Sequence, residues 1–257
     1  MTDTEASSSR RFDFMLNDKV AIITGGGSGI GKAIAELFAA RGARVALLGR
    51  SDSVRETAHA LGDRARHFIL DVTDFARIQP TVEEIVAHFG AVDVLVNNAG
   101  IAFREPAEET SEDKWDLTMA VNLKAVFLLS KAVGRYFLEQ GHGKIVNIAS
   151  QAGVVAIANH LAYCTSKYGL VGLTQVLALE WGPRGVQVNA VSPTVVLTEM
   201  GRLAWAGEPG EALKQEIPLR RFALPEEVAA ATLFLASDAA DMITGANLIV
   251  DGGYIIH

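Results

Sequence analysis

Read for polarity alone, the chain alternates between short unbroken apolar runs and longer stretches in which apolar residues recur every three or four positions. The short runs are VAIIT at 20–24, RVALL at 44–48, HFIL at 67–70, VDVLVNN at 92–98, KIVNIA at 144–149, VQVNAV at 186–191 and NLIV at 247–250. Without polar alternation, such runs predict strands buried on both faces. The stretches between them predict helices at 30–41, 54–61, 75–88, 112–136, 160–181 and 226–236, with Pro225 near the first turn of the last. Strand and helix alternate throughout, which predicts an α/β fold. Its form is a doubly wound parallel sheet in a single domain, with right-handed crossovers and ligands bound beyond the carboxyl ends of the strands.

Composition narrows the classes. About half of the 257 residues are apolar and about a fifth are charged, enough to bury a large core. The formal charge of −7 gives no electrostatic reason to approach nucleic acid or a membrane surface. The single cysteine, Cys164, has no internal disulfide partner and no Cys or His at metal-ligand spacing, so no metal is expected and a cytoplasmic location fits. The opening MTDTEASSSRRFDF is polar and serine-rich, and residues 1–14 read as a mobile arm ahead of a catalytic unit at 15–257. Its Arg10-Arg11 pair does not make an export signal, because Asp18 and Lys19 interrupt where an apolar segment would be needed. No apolar run reaches the roughly 18 residues that span a bilayer.

Candidate chemistry begins at the first turn. TGGGSGIG at 24–31 follows the first strand and opens the first helix, where glycines let the backbone lie against a pyrophosphate facing the positive helix end. Gly25, Gly29 and Gly31 are spaced G-x-x-x-G-x-G, and a glycine-rich loop can serve a turn alone; its placement in a βαβ unit favours a dinucleotide. An acidic residue at the tip of the second strand would hold the ribose 2′-hydroxyl of NAD, whereas an arginine can accept the 2′-phosphate of NADP. The tip here is Gly49-Arg50, which leans toward NADP over NAD. Further along, AYCTSKYGL at 162–170 sets Tyr163 and Lys167 one turn apart on one helix face. That spacing alone also describes an ordinary surface pair.

Taken together, the chain resembles the short-chain dehydrogenase/reductase family along nearly its whole length after the arm. The resemblance rests on TGGGSGIG, DVTD at 71–74, NNAG at 97–100, VNL at 121–123, Ser150, the Y-x-x-x-K pair Tyr163 and Lys167, and VNAVSP at 188–193. It implies a Rossmann fold, a nicotinamide cofactor and oxidoreduction of a CH–OH group. Tyr163 would exchange the proton of the substrate hydroxyl, Lys167 would stabilise the phenolate, Ser150 would hydrogen-bond the reacting oxygen, and Asn122 would order a water beside the lysine. A free tyrosine has a pKa near 10, so bringing Tyr163 near 7 asks for about 4 kcal/mol of differential stabilisation.

The resemblance also distributes the cofactor contacts. Gly25, Ser28, Gly29, Ile30 and Gly31 would hold the pyrophosphate side, and Arg50 the adenosine ribose. Asp71 and Val72 would flank the adenine, and Asn98, Ala99 and Gly100 would line the adenosine side. Tyr163, Lys167, Pro193, Val196 and Thr198 complete the set, with Pro193 and Val196 over the nicotinamide. Many relatives have Pro-Gly after the sixth strand; SPTVVLTEM here sets Thr194 in the glycine position.

For the substrate, the stretch 198–217 corresponds to a mobile lid in the family, with Trp205 and Met200 as candidates to close it. Gln151, Asn159 and His160 are polar neighbours of the catalytic serine and tyrosine, and the resemblance is greatest to the branch acting on sugar alcohols and small polyols. Two alternatives remain. A 3-oxoacyl-carrier-protein reductase shares the catalytic residues but calls for a basic patch, which an acidic chain disfavours. A non-catalytic NAD(P)-binding sensor on this fold would be expected to lose Tyr or Lys. Helices 112–136 and 160–181 are too apolar for one buried face each, and relatives are commonly homotetramers, so a homotetramer is expected, with the terminal DGGYIIH reaching a neighbouring subunit.

Overall fold

The computed structural model describes residues 14–256. Seven strands form: β1 (Val20–Thr24), β2 (Arg44–Gly49), β3 (Ala65–Ile69), β4 (Val94–Asn97), β5 (Gly143–Ile148), β6 (Val186–Pro193) and β7 (Asn247–Val250). Each comes from one of the seven apolar runs. All pair in parallel, in the order β3-β2-β1-β4-β5-β6-β7. The order reverses between β1 and β4, and a crevice at the carboxyl ends there is where a doubly wound sheet takes its ligand.

The crossovers are helical. On one face lie α1 (Gly29–Ala40) and α9 (Pro225–Ala236), packed with Ile23, Val96, Val146 and Val191. On the other lie α3 (Phe75–Phe89), α5 (Ala125–Gln140) and α6 (Leu161–Trp181), packed with Ile22, Leu95, Ile145 and Val188. These strand residues sit on both faces because successive side chains alternate, so a sheet covered on both sides needs runs that are apolar at every position. The remaining helices are α2 (Ser53–Leu61), α4 (Glu112–Met119), α7 (Glu199–Ala204) and α8 (Glu208–Glu216).

Two expectations need correction. The predicted helix 112–136 is a composite in which α4 and α5 are joined by a π-helical turn, Ala120–Lys124, with Asn122 buried at its centre. The run Glu112–Gln140 is also long and apolar enough, by length and composition, to cross a bilayer, and 56% of its most apolar window is buried inside the fold. Polar residues punctuate the run and hid this from a search for unbroken apolar stretches; Leu129, Val133 and Phe137 spend its apolar character on the core. The expected lid 198–217 is largely helical, holding α7 and α8, and its base is closed by a bridge between Val196 and Ala223. Most of the expected arm, including Arg10-Arg11, and the terminal His257 lie outside the described residues; Phe14, its last residue, has its ring 6.3 Å from that of Phe234.

Candidate active site

The glycine turn is shaped by contacts that a side chain would block. Gly25 and Gly29 have φ of +67° and +51°, which side chains disfavour. A Cβ on Gly31 would stand 2.2 Å from Gly25 O and 2.5 Å from Asn98 Nδ2, so only glycine lets the helix start approach the turn and the tip of β4. Thr24, at the end of β1, ties the two strand ends together: its Oγ1 accepts from the N–H groups of Asn98 and Ala99 at 2.9 and 3.0 Å, and Asn98 Nδ2 donates to Thr24 O at 2.9 Å. The resulting cleft has a volume of about 900 Å³ and runs from this turn past Arg50 and Asp71 to Gly100.

Most of the cofactor residues expected from sequence line that cleft: Gly25, Ser28, Gly29, Ile30, Arg50, Asp71, Val72, Asn98, Ala99, Gly100 and Thr198. Gly31 does not line it and acts through the close approach just described. Pro193, buried at the end of β6, and Val196, buried beside its bridge to Ala223, also lie outside its lining. Arg50 Nη1 is 3.8 Å from Asp71 Oδ2, both being well exposed. Thr73 donates to Asp71 from its N–H and its hydroxyl, at 2.9 and 2.7 Å, and these bonds hold the carboxyl below its usual range. Sequence reading missed Ser51 and Ser53, which line the cleft beside Arg50 with their hydroxyls 2.8 Å apart. Their signal was a pair of small hydroxyl residues flanking the start of α2. The close-packed glycines and the elongated cleft fit a dinucleotide.

The other expected group gathers at the carboxyl ends of β4 and β5. Lys167, buried in α6, donates from Nζ to Ile148 O at 2.8 Å and lies 5.6 Å from the centre of the Tyr163 ring. Ser150 hydrogen-bonds the Tyr163 oxygen, and its own Oγ accepts from Ala152 N at 3.1 Å. Asn122 clamps the turn after β4: Oδ1 accepts from Ile101 N and Nδ2 donates to Ile101 O, both at 2.9 Å, with a further bond from Nδ2 to Ser166 Oγ at 3.1 Å. A Cβ on Gly100 would stand 3.4 Å from Asn122 Oδ1 and 3.8 Å from Lys167 Nζ, so these groups close around one glycine. The asparagine side chain is thus committed to the chain itself.

Electrostatics at this centre depart from expectation. Burial pushes the Tyr163 phenol above its usual value, the Ser150 hydrogen bond opposes that rise, and the neighbouring Cys164 adds to it. Burial also brings Lys167 down from 10.5 to about 8. The expected drop of Tyr163 toward 7 called on the positive charge of an oxidised nicotinamide together with Lys167; in the chain alone, desolvation, which disfavours any charged form, sets the direction.

Residues expected to meet substrate divide. Gln151 is buried, with Oε1 lacking a hydrogen-bond partner among the described residues. His160 is half-buried, its ring centre 6.3 Å from that of Tyr163 and its Nδ1 2.8 Å from Ala158 O. Asn159 is exposed with φ of +63°, a conformation asparagine tolerates, and its carbonyl accepts from Glu105 N at 2.9 Å. Trp205 lies under the Arg104 guanidinium, 5.4 Å from it, and 6.4 Å from the Phe222 ring. The side chain of Met200 lies outside the described residues.

A family model described as Enoyl-(Acyl carrier protein) reductase matches residues 25–255. The D-threitol dehydrogenase of Mycolicibacterium smegmatis is 55% identical over 252 residues, 95% of this chain and 96% of that one. The chain belongs to the short-chain dehydrogenase/reductase family. It is an oxidoreductase that uses NAD or NADP and acts on alcohols and the corresponding carbonyls. The NAD-dependent glycerol dehydrogenase of Listeria innocua is 51% identical over 95% of this chain and 96% of its own. Among solved structures, the gluconate 5-dehydrogenase of Burkholderia cenocepacia, in complex with NADP and tartrate, superposes with a TM-score of 0.92 at 34% identity, covering 96% of this chain and 98% of that one.

Proposed function

We propose that this protein interconverts a sugar alcohol or small polyol with the corresponding ketone, with NADP preferred over NAD. The observation that carries the reading is the meeting of Ser150, Tyr163 and Lys167 at the carboxyl end of β5, beside a cleft shaped for a dinucleotide. The polyol class is supported by the relatives named for threitol and glycerol. Arg50 with Ser51 and Ser53 on the cleft wall supports NADP, since a planar guanidinium and two hydroxyls suit a 2′-phosphate.

A bound nicotinamide supplies the hydride acceptor or donor. The chain handles the proton. Ser150 orients the reacting oxygen and stabilises charge on it, while Tyr163 takes the hydroxyl proton in oxidation and returns it in reduction. Lys167, with a pKa of about 8, stays mostly charged at neutral pH and steadies the phenolate. Asn122 holds the Gly100–Ile101 turn beside the lysine. Gln151 and His160 meet the remaining substrate hydroxyls, and residues 198–217 act as a lid whose Trp205 closes on Arg104.

We assign the protein to the cytoplasm as a homotetramer. The lone cysteine suits a reducing compartment, and Phe127 of α5 and Val176 and Leu179 of α6 leave large apolar side chains exposed on faces that a second copy would cover.

The test is a set of initial rates with NAD and NADP against a tetritol, glycerol, a simple secondary alcohol and a 3-hydroxyacyl thioester, with Tyr163→Phe as control. Polyol oxidation that disappears in the variant is expected. Turnover of the thioester alone would move the protein to acyl-carrier reduction, and cofactor binding without turnover of any substrate would make it a sensor.

A further inference from the structure

Thr194 is buried, and its hydroxyl has no hydrogen-bond partner among the described residues. Buried hydroxyls nearly always find one, because the chain otherwise forfeits the hydration lost on folding. The backbone of Thr194 is satisfied: its N–H donates to Val250 O at 3.1 Å, continuing the β6–β7 ladder one residue past the end of β6.

The pleat of β6 sets which side of the sheet its last residues face. Val186 and Val188 pack in the cluster that includes Leu177 and Ala178 of α6, and Ala190 packs with Leu170 of α6, whereas Val191 belongs to the opposite face. Successive side chains alternate along a strand. The alternation puts Ser192 on the α6 side; Thr194 follows in the bend at the carboxyl end of β6, and the first turn of α6 carries Tyr163.

The neighbouring strand ends in the same way. β5 and β6 run parallel with Ile148 beside Val191; three residues further along the two chains come Gln151, in the 3-10 turn that follows β5, and Thr194, in the bend that follows β6. Gln151 Oε1 is likewise buried without a partner, and Ser150, one residue before it, bonds Tyr163. Two adjacent strand ends thus each carry an unmet polar atom next to the reacting centre.

We infer that Thr194 is a specificity-determining residue, whose hydroxyl receives the substrate hydroxyl on the carbon next to the one being oxidised, so that a vicinal diol is preferred to a simple secondary alcohol. This rests on the polyol reading above. A glycine at this position would leave that hydroxyl without the contact.

The experiment compares meso-2,3-butanediol with 2-butanol, matched in length, for the wild type, Thr194→Val and Thr194→Ser at saturating cofactor. Cofactor Kd is measured separately by fluorescence without substrate, and thermal unfolding of each variant controls for folding; Thr194→Ala reads the same ratio if valine is not accommodated. The valine variant is expected to lose about tenfold in kcat/KM on the diol, mainly through KM, with 2-butanol changed by less than about twofold, cofactor Kd unaltered, and serine restoring most of the loss. Equal losses on both alcohols overturn the inference. So does weaker cofactor binding with the diol preference intact, which would give the hydroxyl to the nicotinamide instead. A wild type without preference for the diol overturns the polyol reading together with this inference, and is recognised before any variant is compared.

Discussion

Lys167 donates its ammonium to the carbonyl of Ile148, the last residue of β5, at 2.8 Å, and is buried in the process. The chain keeps a cation where apolar packing would be more stable, because that cation faces the Tyr163 ring. The cost is legible in its depressed pKa of about 8.

That depression predicts how stability varies with pH. The folded-state pKa lies below the usual 10.5, so between about 8 and 10.5 the unfolded chain binds more protons and stability rises with pH. Below pH 8 the whole penalty is present. Lys167→Met removes it, at the expense of leaving Ile148 O without its donor. The stability of the variant relative to wild type is expected to fall by about 3 kcal/mol between pH 7 and pH 10.5, measured by urea unfolding, with activity lost throughout. A difference that stays flat across this window would show that burial does not suppress the lysine charge.

The Arg50–Asp71 pair, 3.8 Å apart, sets a partly neutralised charge at the adenosine end of the cleft. Arg50→Ala is expected to raise the Kd for NADP about three- to tenfold and that for NAD by less than about twofold, the range for a solvent-exposed charge contact. Titration of each cofactor by nicotinamide fluorescence checks it. An unchanged ratio would assign phosphate recognition to Ser51 and Ser53 alone.

Two glycines separate a required absence of side chain from an incidental one. Gly31→Ala sets a Cβ 2.2 Å from Gly25 O, against backbone that has nowhere to go; about 1–3 kcal/mol of destabilisation and at least tenfold weaker cofactor binding are expected. Gly172→Ala, inside α6 with nothing within 4 Å, should be neutral or stabilise by up to about 1 kcal/mol. Thermal unfolding and cofactor titration of the two variants side by side test the contrast.

The Arg104 guanidinium over the Trp205 ring joins the loop after β4 to the segment 198–217. Arg104→Gln removes an exposed cation–π contact of about 0.5–1 kcal/mol, so KM for substrate is expected to rise about two- to fivefold with cofactor Kd unchanged. Tryptophan fluorescence on adding substrate reports the same closure. A KM that stays constant would mean that the lid closes through Phe222 instead.

Some of the site was legible as spacing. Tyr163 and Lys167 sit one turn apart in any helix, and the glycine pattern at 25, 29 and 31 marks a tight turn wherever it follows a strand. Ser51 and Ser53 were not legible, since two serines after a strand are ordinary turn residues until α2 folds back against the glycine loop. There, a Cβ on Gly27 would stand 2.4 Å from Ser53 Oγ. Asn122 was read as a mid-helix residue; the π-helical turn around it follows from its three side-chain bonds to Ile101 and Ser166, which lie 21 and 44 residues away.

The sequence by itself determined the succession of strands and helices and the residues that carry chemistry, because hydrophobic period and local spacing act over a few residues. Only the tertiary structure decided that Lys167 reaches Ile148, that Tyr163 is held above rather than below its usual pKa, and that the buried Thr194 hydroxyl past the end of β6 has no partner among the described residues. Those outcomes depend on which strands lie side by side and how far each group is from water, and both are properties of the packed sheet.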